Sequence, residues 1–228
     1  MDIMKSFTYM FEDRRWISKL LLGYLVSLVP ILNFALTGYV TQTIKNVERK
    51  EPEPLPEWDE FGKFFKNGFF MTVAAFVYSL PLIVISGLSV FPAYMTENGW
   101  DSGRAVLAGA GILVGCLALL YALALSLILP AANINLARKE TFESVFEIRE
   151  FFRIIRENSS DYLTAWVMTI VWAIALGILV SVLYVILVFI ICVGWLAMFF
   201  VGAIVTVAVP LIYAHLFGQV AAKDAGIA

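Results

Sequence analysis

Charge is scarce in this sequence. Asp, Glu, Lys and Arg make up 15% of its 228 residues, whereas soluble domains carry about 25%. That shortage argues against a single soluble globular domain and against a disordered chain. Cysteine is nearly absent: Cys116 and Cys192 both lie inside apolar stretches. Neither has a CxxC partner or a neighbouring histidine, so a disulfide-stapled scaffold is excluded and no metal or redox pattern emerges. Both read as small apolar residues. Sixteen basic residues face eighteen acidic ones, for a net charge of −2, and no nucleic-acid footprint is present. Glycine follows no triplet period, which excludes a collagen-like fibre. Lys5, Arg14 and Arg15 precede the first apolar run, yet no A-x-A-like cleavage site follows it, so an uncleaved chain is expected.

What is abundant is apolar surface, with 61% of residues hydrophobic. Asp, Glu, Lys and Arg are missing from Leu20–Ile44, Asn67–Thr96, Ala105–Ala137 and Tyr162–Ala222, which together make up most of the chain. A hydrocarbon core needs about 20 apolar helical residues per span. The fold class is therefore all-α, a polytopic transmembrane bundle forming one integral membrane domain over residues 1–228. Spans are expected over Asn67–Phe91, Ala105–Ala137, Tyr162–Phe189 and Trp195–Phe217. Tyr94, Trp100, Tyr162, Trp166, Trp195 and Tyr213 fall near their ends, as an aromatic belt would.

Three polar segments separate the apolar ones, and each carries an apolar stripe at helical spacing. In Met1–Lys19 the stripe is Met4, Phe7, Met10 and Phe11. In Lys45–Lys66, Pro52, Pro54 and Pro56 forbid a helix interior, and Trp58, Phe61, Phe64 and Phe65 follow along one face. In Arg138–Asp161, Phe142, Val145, Phe146, Ile148, Phe152 and Ile155 lie opposite Glu143, Glu147, Glu150, Arg153 and Arg156. Such patterns predict amphipathic helices lying in the membrane interface, in contact with lipid. Glu60-Phe61-x-Lys63-Phe64-Phe65-Lys66 also resembles Glu150-Phe151-x-Arg153-Ile154-Ile155-Arg156. An internal duplication, residues 20–95 and 105–190, would account for the likeness, and Pro30, Pro130 and Pro210 would mark a similar point in successive units.

Basic residues set the orientation. If Leu20–Ile44 enters and leaves on one face, Lys and Arg divide 15 to 1 between the two sides; a straight crossing gives 11 to 5. Pro30 and Asn33 stand where a hairpin would turn. Each half would reach only about 18 Å at 1.5 Å per residue, so the hairpin would be re-entrant, its tip near Asn33 buried among other helices. The architecture is thus four full spans plus an N-terminal re-entrant hairpin, or five simple spans. In the first arrangement both termini and the two long loops face the cytoplasm.

Little in the sequence speaks of chemistry. No span holds Asp, Glu, Lys or Arg, the usual marks of intramembrane function. HExxH, GxSxG, Walker and GxGxxG patterns are missing, and His215, the one histidine, is expected at a solvent-reached interface. No catalytic, cofactor-binding or metal-binding residue is assigned, and no cofactor is expected. Asn33, Asn133 and Asn135 form a candidate polar intramembrane cluster, to be weighed against ordinary interhelical hydrogen bonding. Gly111 and Gly115 make one GxxxG, and Gly177 with Ser181 repeats the spacing. These small residues allow close helix packing within the bundle or across a homo-oligomer.

One resemblance accompanies these features. The string Trp16-x-x-Lys19-Leu-Leu-Leu-Gly23, then Ile31-Leu32-Asn33, Gly38-Tyr39, Leu55-Pro56-Glu57-Trp58, Phe64 and Asn67-Gly68 resembles a family of prokaryotic multi-span membrane proteins known only as a domain of unknown function. The resemblance implies a prokaryotic cytoplasmic membrane and brings no catalytic residue. From the residues themselves, three functions compete. The first is a non-enzymatic scaffold or accessory subunit whose partners are membrane lipids, a membrane protein or a second copy. The second is a small transporter or channel for a neutral or weakly polar solute. The third, a lipid-modifying enzyme, would need His215 and a loop carboxylate.

Overall fold

The computed structural model describes residues 1–97, 104–188 and 194–227. Among the described residues every regular element is helical: α1 (Lys5–Glu12), α2 (Trp16–Ser27), α3 (Asn33–Glu48), α4 (Phe61–Glu97), α5 (Arg104–Lys139), α6 (Ile148–Glu157), α7 (Ser159–Val188) and α8 (Gly194–Asp224). Short 3₁₀ turns cover Trp58–Glu60 and Phe142–Phe146. The charge-free stretches become helices because hydrocarbon offers the backbone no water, and a helix satisfies its own amides. The segments Trp58–Gly87, Gly109–Lys139, Ser159–Leu187 and Val205–Asp224 are long and apolar enough to cross a membrane. Pro130 and Pro210 sit inside α5 and α8, as prolines in spanning helices can. The loop around Asn98 and Trp100, the turn at 191–193 and Cys192 lie outside the described residues.

The chain divides into two compact units. Residues 73–130 form one, the C-terminal part of α4 with the N-terminal part of α5. Within it the Tyr121 hydroxyl donates to the Tyr78 carbonyl at 2.8 Å. Residues 1–72 and 131–228 form the other. In that larger unit α8 packs against α7, α3, α2 and α1, and its C-terminal half, from Val207 to Ala222, supplies much of the core.

The stretch Leu20–Ile44 is broken into two helices around Pro30. Gly23 faces Leu36 across the pair. Lys19 on α2 and Tyr39 on α3 reach the neighbouring carbonyls of Leu55 and Pro56, so the chain goes out and returns. Met1 and Lys50 line one cavity. The tip departs from expectation: Leu28, Val29, Ile31 and Asn33 are exposed rather than buried among other helices. The turn needs no cover because it closes its own hydrogen bonds, Leu28 N–H to the Tyr24 carbonyl and Asn33 N–H to the Val29 carbonyl among them.

The second polar segment also differs from the interfacial helix expected of it. From Phe61 onward it is the first part of α4, running unbroken into the apolar segment. Its aromatics pack on protein: Trp58 stacks on Tyr39 with centroids 4.5 Å apart, Phe65 meets Phe34 edge-on, and Phe64 is buried. The cause is a close crossing of α3 and α4. A Cβ added at Gly38 would lie 1.7 Å from the Phe64 carbonyl oxygen, and one at Gly68 would lie 1.7 Å from that of Phe34. Only glycine lets two helix backbones approach so closely.

Candidate functional site

The polar residues of the larger unit gather where helix ends and loops meet. α8 ends on Asp224, an anion at a helix C-terminus, where the helix dipole disfavours it. Three groups compensate. Arg138 donates to Asp224 at 2.7 Å and to Glu48 at 2.7 Å, joining the ends of α5, α8 and α3. Its third nitrogen, Nη2, donates to the Ala221 carbonyl at 2.8 Å. Arg153 of α6 reaches Asp224 at 3.2 Å while also holding Glu150 and Glu157 at 2.6 Å each. The Asn158 amide donates to Asp224 at 2.8 Å. A second knot joins Lys19 to Asp13 at 2.6 Å, to Glu57 at 3.0 Å and to the Leu55 carbonyl at 2.8 Å, with Lys19 and Asp13 buried. The Trp58 indole N–H donates to the Lys19 carbonyl. Lys19, Gly23, Gly38, Tyr39, Leu55, Pro56, Glu57, Trp58, Phe64 and Gly68, all drawn from the strings that carried the family resemblance, thus form one packed cluster.

Along the turn between α5 and α6, Glu140 pairs with Lys45 and with Lys63, the latter at 3.4 Å. Burial acts to raise the Glu140 carboxyl, but the two ammonium groups outweigh it and hold it below the ordinary glutamate value. Glu147 is held low by hydrogen bonds from Lys139 and then Asn135. Glu150 is held low first by the hydrogen bond from Arg153.

The three asparagines do not come together. Asn33 is exposed at the hairpin tip. Asn133, buried, accepts from the Thr41 hydroxyl at 2.7 Å and faces the Tyr213 hydroxyl at 3.4 Å, tying α3, α5 and α8. Asn135, two residues on, points elsewhere and donates to the Ser144 carbonyl and to Glu147. Within the single chain, Gly115, Gly177 and Ser181 are not close-packed against another helix. A Cβ at Gly115 or Gly177 would meet nothing within 4 Å, and Ser181 is exposed; Gly111 is half-buried. The closest backbone approaches are at Gly38 and Gly68, and Gly218 packs on Val47, where an added Cβ would lie 2.6 Å from the Val47 Cβ.

His215 is buried rather than solvent-reached, 4% exposed. Its ring stacks on Tyr9 at 4.5 Å, and the Tyr9 hydroxyl donates to the Leu211 carbonyl. Gln219 fixes the tautomer. Its carbonyl accepts the Asp2 N–H at 2.7 Å and its amide donates to the Asp2 carbonyl at 2.9 Å, so the amide orientation admits no flip. The same amide lies 2.9 Å from His215 Nδ1, which must therefore accept, leaving the proton of the neutral ring on Nε2. His215, Gln219, Tyr9, Lys50 and Asp161 are among the residues lining a cavity of about 440 Å³. Among the described residues no group of three His, Cys, Asp or Glu side chains is placed to hold a metal ion.

On α6, the protein-facing residues are Phe151 and Ile154, both fully buried, whereas Ile148 and Phe152 are 49% and 58% exposed and Ile155 is half-buried. Val145, placed by the sequence on the exposed stripe, is buried, and Phe146 is half-buried against Phe142.

Long apolar helices with their ion pairs gathered at helix ends define a polytopic helical membrane protein. The chain belongs to DUF4013, a protein family of unknown function, whose profile matches residues 21–185. Comparison with the curated proteins gives no match, and comparison with the solved structures gives none.

Proposed function

We propose that the protein is a non-enzymatic scaffold or accessory subunit of a prokaryotic cytoplasmic membrane, organising lipid or a membrane partner. One observation carries the reading. The ionic end of the larger unit is tightly tied, yet the most apolar windows of the α5 and α7 segments are each only 6% buried. Ile112, Leu113, Leu119 and Ile178 are all more than half exposed. Helices that keep their apolar sides uncovered within one chain offer them to lipid or to another membrane helix. The charged groups meanwhile serve one another: Arg138, Arg153, Glu48 and Asp224 are mutually engaged.

A second reading, passage of a neutral or weakly polar solute, is favoured by the cavity that His215 and Gln219 help to line. Reconstitution separates the two. Vesicles holding the full-length protein should release entrapped glycerol or urea no faster than protein-free vesicles. Saturable release that His215→Ala abolishes would overturn the scaffold reading in favour of transport.

A further inference from the structure

The arginines of α6 are not equivalent. Arg153 is consumed by Glu150, Glu157 and Asp224. Arg149 and Arg156 are exposed, and neither has an acidic partner among the described residues. They are seven positions apart, two helical turns, and so share a face. Phe152 lies between them, and the three line an open groove of about 510 Å³ together with Arg153 and Glu157. The acids that could neutralise this face are occupied: Glu147 by Lys139 and Asn135, Glu150 and Glu157 by Arg153. Glu143, in the preceding 3₁₀ turn, is the exposed acid left nearby in sequence. Two residues after the end of α6, at Ser159, begins a segment long and apolar enough to cross the membrane.

We propose that the outward face of α6 binds the phosphates of anionic phospholipid headgroups. Arg149 and Arg156 take the phosphates, Phe152 enters the acyl boundary between them, and Ile148 enters it one residue before Arg149. Either cation would be drawn to an anionic headgroup by its charge; guanidinium adds planar donors that can meet a phosphate in bidentate fashion. Exposed apolar side chains interleaved with unneutralised cations, adjoining a spanning segment, have the composition of an interfacial anchor. The inference rests on the membrane reading above, not on the scaffold role. Solute release from vesicles would end the scaffold role and leave lipid selectivity standing; loss of selectivity would do the reverse.

The test uses full-length protein in detergent, offered equal amounts of phosphatidylglycerol and phosphatidylcholine with matched chains, with retained lipid counted by native mass spectrometry. The parent should prefer phosphatidylglycerol. The variant R149Q/R156Q should lose that preference by about fivefold per arginine, the equivalent of about 1 kcal/mol each, whereas R149K/R156K should keep most of it. About 0.5 M NaCl should bring the parent down toward the glutamine variant. The proposal fails if the parent shows no preference, if R149Q/R156Q retains it, or if R149K/R156K loses it fully. Displacement of the lipid by millimolar inorganic phosphate would also overturn it, in favour of a soluble phosphate site. Retention of an acidic peptide in place of lipid would overturn it in favour of a protein partner.

Discussion

At the scale of single residues, two glycines decide whether α3 and α4 can meet. With 1.7 Å between an added Cβ and a carbonyl oxygen, neither Gly38 nor Gly68 can become alanine unless a helix backbone shifts, since the obstacle is main chain and not a movable side chain. Gly38→Ala should therefore lower the melting temperature of the purified protein, with a loss of about 1–3 kcal/mol typical of overpacking. Gly62→Ala, in the first turn of the same α4 helix and with nothing within 4 Å, should be neutral or slightly stabilising, because alanine favours the helix by about 1 kcal/mol over glycine. An unchanged melt for Gly38→Ala would mean that the helices do not cross there. None of this could be read from spacing. Gly38 and Gly68 lie on different helices, and a GxxxG search sees only repeats along one helix, which is why it selected Gly111, Gly115 and Gly177 instead.

At the scale of elements, the α5–α6 turn is held by carboxylates that the fold keeps ionised. Glu140, Glu147 and Glu150 all titrate below the ordinary value of 4.5. A carboxyl whose value is depressed on folding contributes stability that is fully present above its unfolded value and is lost as pH falls through the folded one. The pairs should thus be unaffected between neutrality and about pH 6, and weaken below about pH 4.5. A nitroxide on a cysteine at Glu143, in a background lacking Cys116 and Cys192, reports on this turn. Its mobility should rise only in the acid range, below the ordinary glutamate value; mobilisation already at about pH 6 would contradict the assignment. The helices themselves were legible, because a charge-free run in a membrane protein has no alternative to helix. The faces were legible only in part. Periodicity marked Phe61, Phe64 and Phe65 as apolar, but an apolar stripe looks the same whether lipid or α3 covers it. For α6 it chose Phe152 and Ile155 and overlooked Phe151 and Ile154, since a helix apolar on two sides gives no sign of which side is docked. The Asp224 knot was invisible for another reason: its partners Arg138 and Arg153 are distant in sequence, and a lone aspartate in a C-terminal tail carries no pattern.

At the scale of the whole molecule, the question is which ends share a side of the membrane. The broken first stretch answers part of it within the larger unit: Met1, Lys5, Lys50 and Lys223 line the same cavity, so the N-terminus, the loop after α3 and the end of α8 stand together. The C-terminal end of α5 joins them through Arg138 with Glu48 and Asp224. Fifteen of the sixteen Lys and Arg residues belong to these polar segments. Cytoplasmic loops carry the excess of basic residues, and from this we predict that the whole group is cytoplasmic. Single cysteines introduced at Glu53, at Glu147 and at Asn98, after removal of Cys116 and Cys192, make the test. An impermeant maleimide applied to intact cells should label Asn98→Cys, while Glu53→Cys and Glu147→Cys should react only after permeabilisation. Labelling of Glu147→Cys from outside would invert the orientation. Labelling of Glu53→Cys alone would be more damaging, since Glu140 pairs with both Lys45 and Lys63, which flank that loop. A membrane could not separate Glu53 from Glu147 without breaking those pairs, so the outcome would count against the hairpin and the ionic end together.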